Sequence, residues 1–144
     1  KNVNYIPIKV ITIRINSISN FTRNKNFKIF LANFKRIKNI LKGEKFSNDV
    51  EFQIDKKIFV TIEEEKMHNL IKSFSKEIIE KGFCERSQDV LINSLINMNE
   101  PVSLFFDNVV VNDVNHDVKN NRLNLLKNLY NLMLKFSSFD FIEY

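Results

Sequence analysis

A short segment with four basic residues and one asparagine is the part of the sequence best suited to bind an anionic partner. These residues are Lys35, Arg36, Lys38, Asn39 and Lys42. Lysine and arginine bind phosphate groups, and asparagine or arginine can hydrogen-bond to the edge of a base. Arg36 and Asn39 would share one face of a helix. We therefore predict contact with nucleic acid here; a solvated helix face without a ligand is the alternative.

A second polar set of the same kind lies near the C-terminal end of the chain. It consists of Lys119, Asn120, Asn121 and Arg122, at the predicted start of a helix. Free backbone N–H groups at a helix start favour phosphate, whereas cations there oppose the helix dipole, a local conflict typical of functional positions. We expect Arg36 and Arg122 to converge on one groove.

Two adjacent aromatic residues, Phe105 and Phe106, precede this second set. An exposed ring could stack on an unstacked base, and packing in the core is the alternative for each. Because neighbouring residues point to different sides of a helix, one of the two rings could be exposed.

No residues in the sequence could assemble a reaction centre. His68 is predicted on an exposed helix face, and His116 in a polar loop. Cys84 is the single cysteine, which excludes an internal disulfide and a cysteine-built zinc site, and we expect a buried thiol. The acidic run 63–65 is better explained by the helix dipole than by a metal. We therefore predict no catalytic residue and no metal site.

The composition is that of a helical domain with a mild basic excess. The chain has 144 residues, 44% of them hydrophobic and 27% charged, with 2 Gly and 2 Pro and a net charge of +5. Scarce glycine and proline favour long helices, and the positive charge suits an anionic partner. No apolar stretch is long enough to span a membrane, and no signal peptide is recognisable, so we expect a cytoplasmic protein.

Apolar residues recur at helical spacing in two early segments. Ile8, Ile11, Ile15 and Ile18 follow Pro7 and predict a helix, although β-branched side chains also permit a strand. Asn24 or Asn26 could cap a second helix that ends at Gly43. The buried face of that helix would be Phe27, Phe30, Phe34, Ile37 and Leu41.

Residues 44–60 are less regular. Val50, Phe52 and Ile54 alternate with polar residues, as in an extended segment. Because no partner strand is recognisable, we predict a loop of local extended character.

A third helix is predicted to begin at Thr61, which has capping-box spacing to Glu64, and to end at Gly82. Ser87 or Asp89 could cap a fourth. The apolar residues of these two helices are Met67, Leu70, Ile71, Phe74 and Ile78 in the third, and Val90, Leu91 and Leu95 in the fourth.

Two more helices complete the prediction. The fifth has Pro101 at its first position, with Leu104, Phe105 and Val109 in the core. Residues 112–117 form a loop with an N-cap, and a last helix runs from about Val118 to Phe136. Its apolar stripe is Val118, Leu125, Leu129, Leu132 and Phe136. We predict one all-α domain over residues 1–144, an antiparallel bundle of five to six helices.

Three blocks of sequence resemble, in the same order, the C-terminal region of the beta subunit of bacterial glycyl-tRNA synthetase. NFKRIKNIL at 33–41 is similar to the A-x-KR-x-x-NIL helix of that family. RSQDVL through PVSLFFDNVVV at 86–111 is similar to its acidic helix followed by FFD-x-V-x-V. VKNNRLNLLKNLYNLM at 118–133 is similar to its LR-x-NRL-x-LL terminal helix.

The resemblance implies an anticodon-binding domain of the all-helical DALR class, which arginyl-tRNA synthetases share. It implies binding of the anticodon arm of glycine tRNA, not of DNA or a membrane, within an alpha-two beta-two tetramer. The alpha subunit of that family carries the class II active site and uses ATP and Mg²⁺, so this domain would be a non-catalytic, cofactor-free part of a longer beta subunit. A chain that begins with Lys1 agrees with the C-terminal end of a longer protein.

The sequence departs from the family pattern at several positions. The letters DALR fall on His116, Asp117, Val118 and Lys119, so the acid moves one place and lysine replaces arginine. Lysine lacks the planar fork needed for a bidentate contact. The family usually has a small residue at the start of the first block, where this chain has the larger Asn33 and Phe34. Residues 44–60 match the family sequence poorly.

RNA contacts are therefore expected at seven positions: Lys35, Arg36, Lys38, Asn39, Lys119, Asn121 and Arg122. The alternative is a helical module that docks on the rest of the enzyme through a phenylalanine-rich surface, without touching RNA. A free-standing enzyme is the least favoured interpretation.

Overall fold

The described part of the chain contains four α-helices and one 3-10 helix with defined bounds. The computed structural model describes residues 25–47, 50–81 and 93–136, together with Ser19 and Arg23, with side chains described up to 77 in the second range and 134 in the third. The helices are α1 Phe27–Ile40, α2 Ile62–Lys81, α3 Asn99–Asn108 and α4 His116–Phe136, and the 3-10 helix is Lys56–Ile58. Residues 93–97 are also helical and lead into α3.

The predicted all-α class is confirmed, because these ranges contain helices and no strand. Four α-helices is slightly below the predicted five to six. The predicted helix at 8–18, Cys84 and the predicted cap of the fourth helix at Ser87 or Asp89 lie outside the described residues.

Helix α1 buries the stripe that its sequence predicts. Phe27, Phe30, Phe34, Ile37 and Leu41 are all buried. The chain turns after Leu41 through Gly43, whose φ of +94° is strained for any residue with a Cβ. The predicted apolar face and stop of this helix are therefore confirmed.

Helix α2 begins at the predicted capping box. One carboxylate oxygen of Glu64, Oε2, accepts hydrogen bonds from the backbone N–H groups of Val60 and Thr61, each at 2.8 Å. It thereby supplies an acceptor to donors that the helix leaves without partners. Met67, Ile71 and Phe74 then face the core, as predicted.

Helix α3 differs from its prediction in two ways. It begins at Asn99, so Pro101 is its third residue rather than its first. Leu104, predicted in the core, is 39% exposed, whereas Phe105 and Phe106 are both buried. Core packing, one of the two alternatives for these rings, is therefore confirmed for each, and neither is exposed. Helix α3 packs against both α1 and α2, so neighbouring positions on it meet different helices.

Helix α4 is the centre of the domain, where it packs against α1, α2 and the 3-10 helix. It begins two residues before the predicted Val118, because Asn115 Oδ1 accepts hydrogen bonds from the N–H groups of Asp117 and Val118 at 3.0 and 3.3 Å. Asn115 is thus the N-cap. The side chains of Leu125, Leu126 and Leu129 in α4 lie in the core and are fully buried.

A row of asparagines along α4 holds the irregular segment that precedes α2. The row is Asn121, Asn124, Asn128 and Asn131, spaced so that all four share one face. Asn128 accepts from Phe52 N–H at 2.7 Å and donates to Phe52 C=O at 2.9 Å. Asn121 bonds the N–H and C=O of Asp55 in the same manner, at 2.9 and 3.0 Å.

The other two asparagines only donate to this segment. Asn124 reaches the carbonyl of Gln53, and Asn131 reaches those of Ser47 and Val50, at 3.2–3.3 Å. The predicted loop of extended character is confirmed, and side chains of a helix take the place of a neighbouring strand.

Candidate nucleic-acid interface

A groove of about 500 Å³ opens between α1, α4 and the segment that follows α3. Arg36 lies on the α1 side and Lys119 on the α4 side. Val109 to Asn112 form the floor between them. The lining residues are Arg36, Ile40, Glu44, Phe106, Val109, Val110, Val111, Asn112, Lys119 and Leu123.

The side chain of Arg36 lies over a core aromatic ring. Its guanidinium carbon is 4.4 Å from the centroid of Phe106, a cation–π distance. Arg36 is exposed and Phe106 is buried, so the guanidinium group lies over the ring on the side of Arg36 that solvent reaches. No acid pairs with Arg36 within the described part of the chain.

Lys119 brings a second cation to the same groove. Its side chain is half-buried in the first turn of α4, where backbone N–H groups add to its positive charge. Its ammonium group has no hydrogen-bond or ion-pair partner among the described side chains. Cations from two helices therefore do face one groove, but the α4 cation is Lys119 rather than Arg122.

Arg122 is directed into the protein instead. Only 4% of its side chain is exposed, and Nε donates to Glu64 Oε1 at 2.8 Å. Nη1 donates to the carbonyl of Val110 at 2.7 Å and to Asp113 Oδ2 at 3.2 Å. The apparent conflict with the helix dipole is thus resolved by two acids. We remove Arg122 from the candidate interface, because its donors are already used and solvent does not reach it.

The carboxylate of Glu64 stays ionised in this buried position. Burial by itself would raise the pKa of Glu64, but hydrogen bonds from Arg122, Thr61 and Val60 and the positive charge of Arg122 outweigh it. The pKa of Glu64 is therefore lowered from its ordinary value. This ion pair joins the start of α2 to α4 and, through Val110, to the floor of the groove.

Asn121 likewise has a structural role. It is buried, and both polar atoms of its amide bond the backbone of Asp55. We leave Asn121 out of the candidate interface for that reason. Lys35, Lys38 and Asn39 are exposed on α1, on the same helix as Arg36, and they stay in it.

Glu44 and the floor of the groove were missed by reasoning from the sequence. Glu44 follows the glycine turn after α1, so only the fold shows that it returns to the groove. The FFDNVVV motif was a usable signal, since it contains Phe106 and Val109 to Val111.

Comparison with known proteins agrees with this arrangement. The chain matches the DALR anticodon binding domain over residues 30–137, a range that contains α2 to α4 and all of α1 except its first three residues. The chain belongs to the DALR anticodon-binding domain family.

Several relatives of the DALR domain are named as glycine–tRNA ligase beta subunits. The protein of Thermodesulfovibrio yellowstonii is 31% identical over 127 residues, 88% of this chain and 18% of that protein. The protein of Rickettsia peacockii is 31% identical over 113 residues, 78% of this chain and 16% of its own length. The protein of Vibrio atlanticus is 29% identical over 130 residues, which are 90% of this chain and 18% of that protein. The chain thus spans less than a fifth of the relatives it matches.

Three further findings concern metal binding, membrane insertion and the position of His116. Among the residues described, no group of three or more histidine, cysteine or acidic side chains could hold a metal. No helix in the same ranges is long and apolar enough to cross a membrane. His116 is exposed at the start of α4, next to the predicted loop.

His68 is buried, and its predicted exposure is wrong. Only 7% of the residue is accessible, because Phe59 packs edge-on against its ring at 5.8 Å. Its Nε2 atom has no hydrogen-bond partner within the described structure. Burial, followed by the charges of Lys72 and Lys56, lowers the pKa of His68, and Glu51 opposes this only weakly.

The domain should therefore lose stability as the pH falls below about 6.5, the ordinary pKa of histidine. In that range the unfolded chain binds a proton that folded His68 rejects, so acid favours unfolding by up to about 1.4 kcal/mol per pH unit. Denaturant unfolding of the wild type and His68→Leu at several pH values measures this slope. The slope should be smaller in His68→Leu than in the wild type; equal slopes in the two proteins would show that His68 is not responsible.

Proposed function

We propose that this DALR domain binds the anticodon arm of a tRNA, with the groove between Arg36 and Lys119 against the anticodon loop. Family membership supports the ligand class. The observation that carries the proposal is that two cations from different helices line one groove without an acid partner among the described residues. Unpaired cations suit phosphate, because binding then breaks no existing ion pair.

The names of the relatives suggest the setting in which the domain works. We propose that it belongs to the beta subunit of a cytoplasmic glycine–tRNA ligase and that its ligand is glycine tRNA. In this setting an alpha subunit would complete an alpha-two beta-two tetramer and would use ATP and Mg²⁺. The domain itself would position the tRNA without taking part in the chemistry, and would bind neither DNA nor a membrane.

We assign different roles to the residues in contact with RNA. Lys119 lies in the first turn of α4 and would bind a phosphate of the loop. Arg36 would contact a base, and Lys35, Lys38 and Asn39 would extend the contact along the exposed side of α1.

Binding should weaken as salt increases, because each phosphate contact releases counterions. Fluorescence anisotropy with labelled glycine tRNA at several salt concentrations measures the slope of log K against log salt. Lys119→Ala should reduce that slope by about one and weaken binding to all tRNA sequences alike. Lys66→Ala is the matched control, since Lys66 is exposed on α2, which contributes no residue to the groove. Equal slopes for the wild type and Lys119→Ala would contradict the assignment.

Docking on another subunit is the second candidate function. The expected phenylalanine-rich surface does not occur in the described residues, whose phenylalanines are buried or half-buried. Two other apolar residues, Val60 and Ile62, are 69% and 60% exposed at the start of α2. Absence of tRNA binding, with salt-insensitive association with an alpha subunit, would favour docking.

A further inference from the structure

We propose that the groove is a subsite for one unstacked nucleotide whose base carries an exocyclic amino group, stacked on Arg36 and hydrogen-bonded to Glu44. This inference rests on the proposed tRNA binding and adds the mode of recognition. It follows from three features of the groove: a stacked guanidinium, an acidic acceptor and a cation on the opposite side.

The first feature is a preformed flat surface. The guanidinium of Arg36 lies 4.4 Å from the centre of the Phe106 ring, and that ring is anchored in the core against Phe105. This contact places the guanidinium group against the ring before any ligand binds. Unstacked RNA bases stack on arginine planes as well as on aromatic rings. A base on the outer face of Arg36 would complete a three-layer stack with Phe106 beneath.

The second feature is an acceptor held at the rim of the groove. Glu44 Oε2 is 3.2 Å from Lys127 Nζ. Lys127 in turn lies over the rings of Phe46 and Phe52, 5.6 and 5.2 Å from their centroids. The carboxylate is thus paired with a lysine that packs on two rings, and its second oxygen, Oε1, has no partner among the described atoms.

A carboxylate selects between bases by their hydrogen-bonding groups. An ionised glutamate only accepts hydrogen bonds, so it attracts an amino group and repels a carbonyl oxygen at the same place. Cytosine and adenine present an amino group where uracil and hypoxanthine present a carbonyl. Glu44 would therefore favour the amino base over its carbonyl counterpart.

The third feature explains why a nucleotide fits better than a free base. Lys119 lines the groove together with Glu44 and can bind the phosphate. Val110, which is 69% exposed, offers an apolar surface for the ribose or base. The groove of about 500 Å³ lies within the range of small-ligand sites.

The test uses the 144-residue chain and the anticodon stem-loop of glycine tRNA. Each cytosine or adenine of the loop is changed, one at a time, to uracil or hypoxanthine, and binding is measured by anisotropy. At one position the wild type should lose roughly five- to a hundredfold in affinity. Glu44→Gln should remove that difference, because a glutamine amide can donate to the carbonyl as well as accept from the amine.

Arg36 is tested by keeping its charge and removing its plane. Arg36→Lys should weaken stem-loop binding as much as Arg36→Ala, whereas Lys66→Ala should bind like the wild type. Thermal unfolding of every variant checks that it is folded.

Each outcome bears on a different claim. Equal affinity for all loop variants, unchanged discrimination in Glu44→Gln, or full binding by Arg36→Lys would overturn the subsite while leaving tRNA binding intact. Failure of the wild type to bind any stem-loop or whole tRNA would instead overturn the proposed function.

Discussion

Replacing Arg122 with methionine is expected to lower the free energy of unfolding by about 3–5 kcal/mol. The variant leaves Glu64, which is fully buried, as an ionised group without its cationic partner. It also removes the hydrogen bond to the carbonyl of Val110. Methionine keeps much of the side-chain volume, so the loss would come from unpaired polar groups rather than from a cavity. Denaturant unfolding at neutral pH measures it.

A double-mutant cycle separates the ion pair from other effects of the substitution. Glu64→Gln keeps an oxygen that can accept from Val60 and Thr61 while it removes the charge. The double variant, Arg122→Met with Glu64→Gln, should be more stable than the sum of the two single losses predicts, since no unpaired charge is left buried. A loss below about 1 kcal/mol in Arg122→Met would mean that the pair does not behave as a buried one.

Replacing Phe105 with alanine is expected to cost a similar amount, about 3–5 kcal/mol. Its ring is fully buried and packs edge-on against Phe106, which supports the guanidinium of Arg36. Truncation would remove buried apolar surface and leave a cavity at the centre of the domain. The measurement is again denaturant unfolding.

The neighbouring residue provides the control for this prediction. Leu104 lies in the same helix and is 39% exposed. Leu104→Ala should change stability by less than about 0.5 kcal/mol. A similar loss of stability in Phe105→Ala and Leu104→Ala would indicate that the side of α3 that faces the core is not the side with Phe105.

The sequence was sufficient to predict those helices that carry a regular apolar stripe. Helix α1 has five apolar residues at spacings of three and four, and one side of it is buried accordingly. Glu64 and Thr61 also marked the start of α2 by their spacing alone. In these places local pattern and tertiary structure favour the same result.

Helix α4 could not be predicted in the same detail because its polar residues are buried too. Asn121 and Arg122 were interpreted as accessible RNA contacts and Asn128 was not singled out, since these residue types are mostly exposed. Their partners are Asp55, Phe52 and Glu64, more than fifty positions away in the chain. Only the tertiary structure shows that such groups are satisfied inside.

The same reasoning explains His68 and the groove. His68 was placed on a polar face because the packing of Phe59 against it is invisible in the periodicity of α2. Arg36 and Lys119 were singled out as candidate RNA contacts, yet the groove that they share depends on the turn after α1 and the segment after α3. Whether these residues bind RNA stays a prediction.

Crosslinking from the anticodon loop tests the central claim most directly. Glycine tRNA with a photoreactive base in the loop is irradiated with the 144-residue chain, and the attached residues are located by mass spectrometry. We expect attachment at Arg36, at residues 106–112 and at Lys119. Attachment confined to residues that do not line the groove, such as Lys66 on α2, or only from parts of the tRNA other than the anticodon arm, would contradict it.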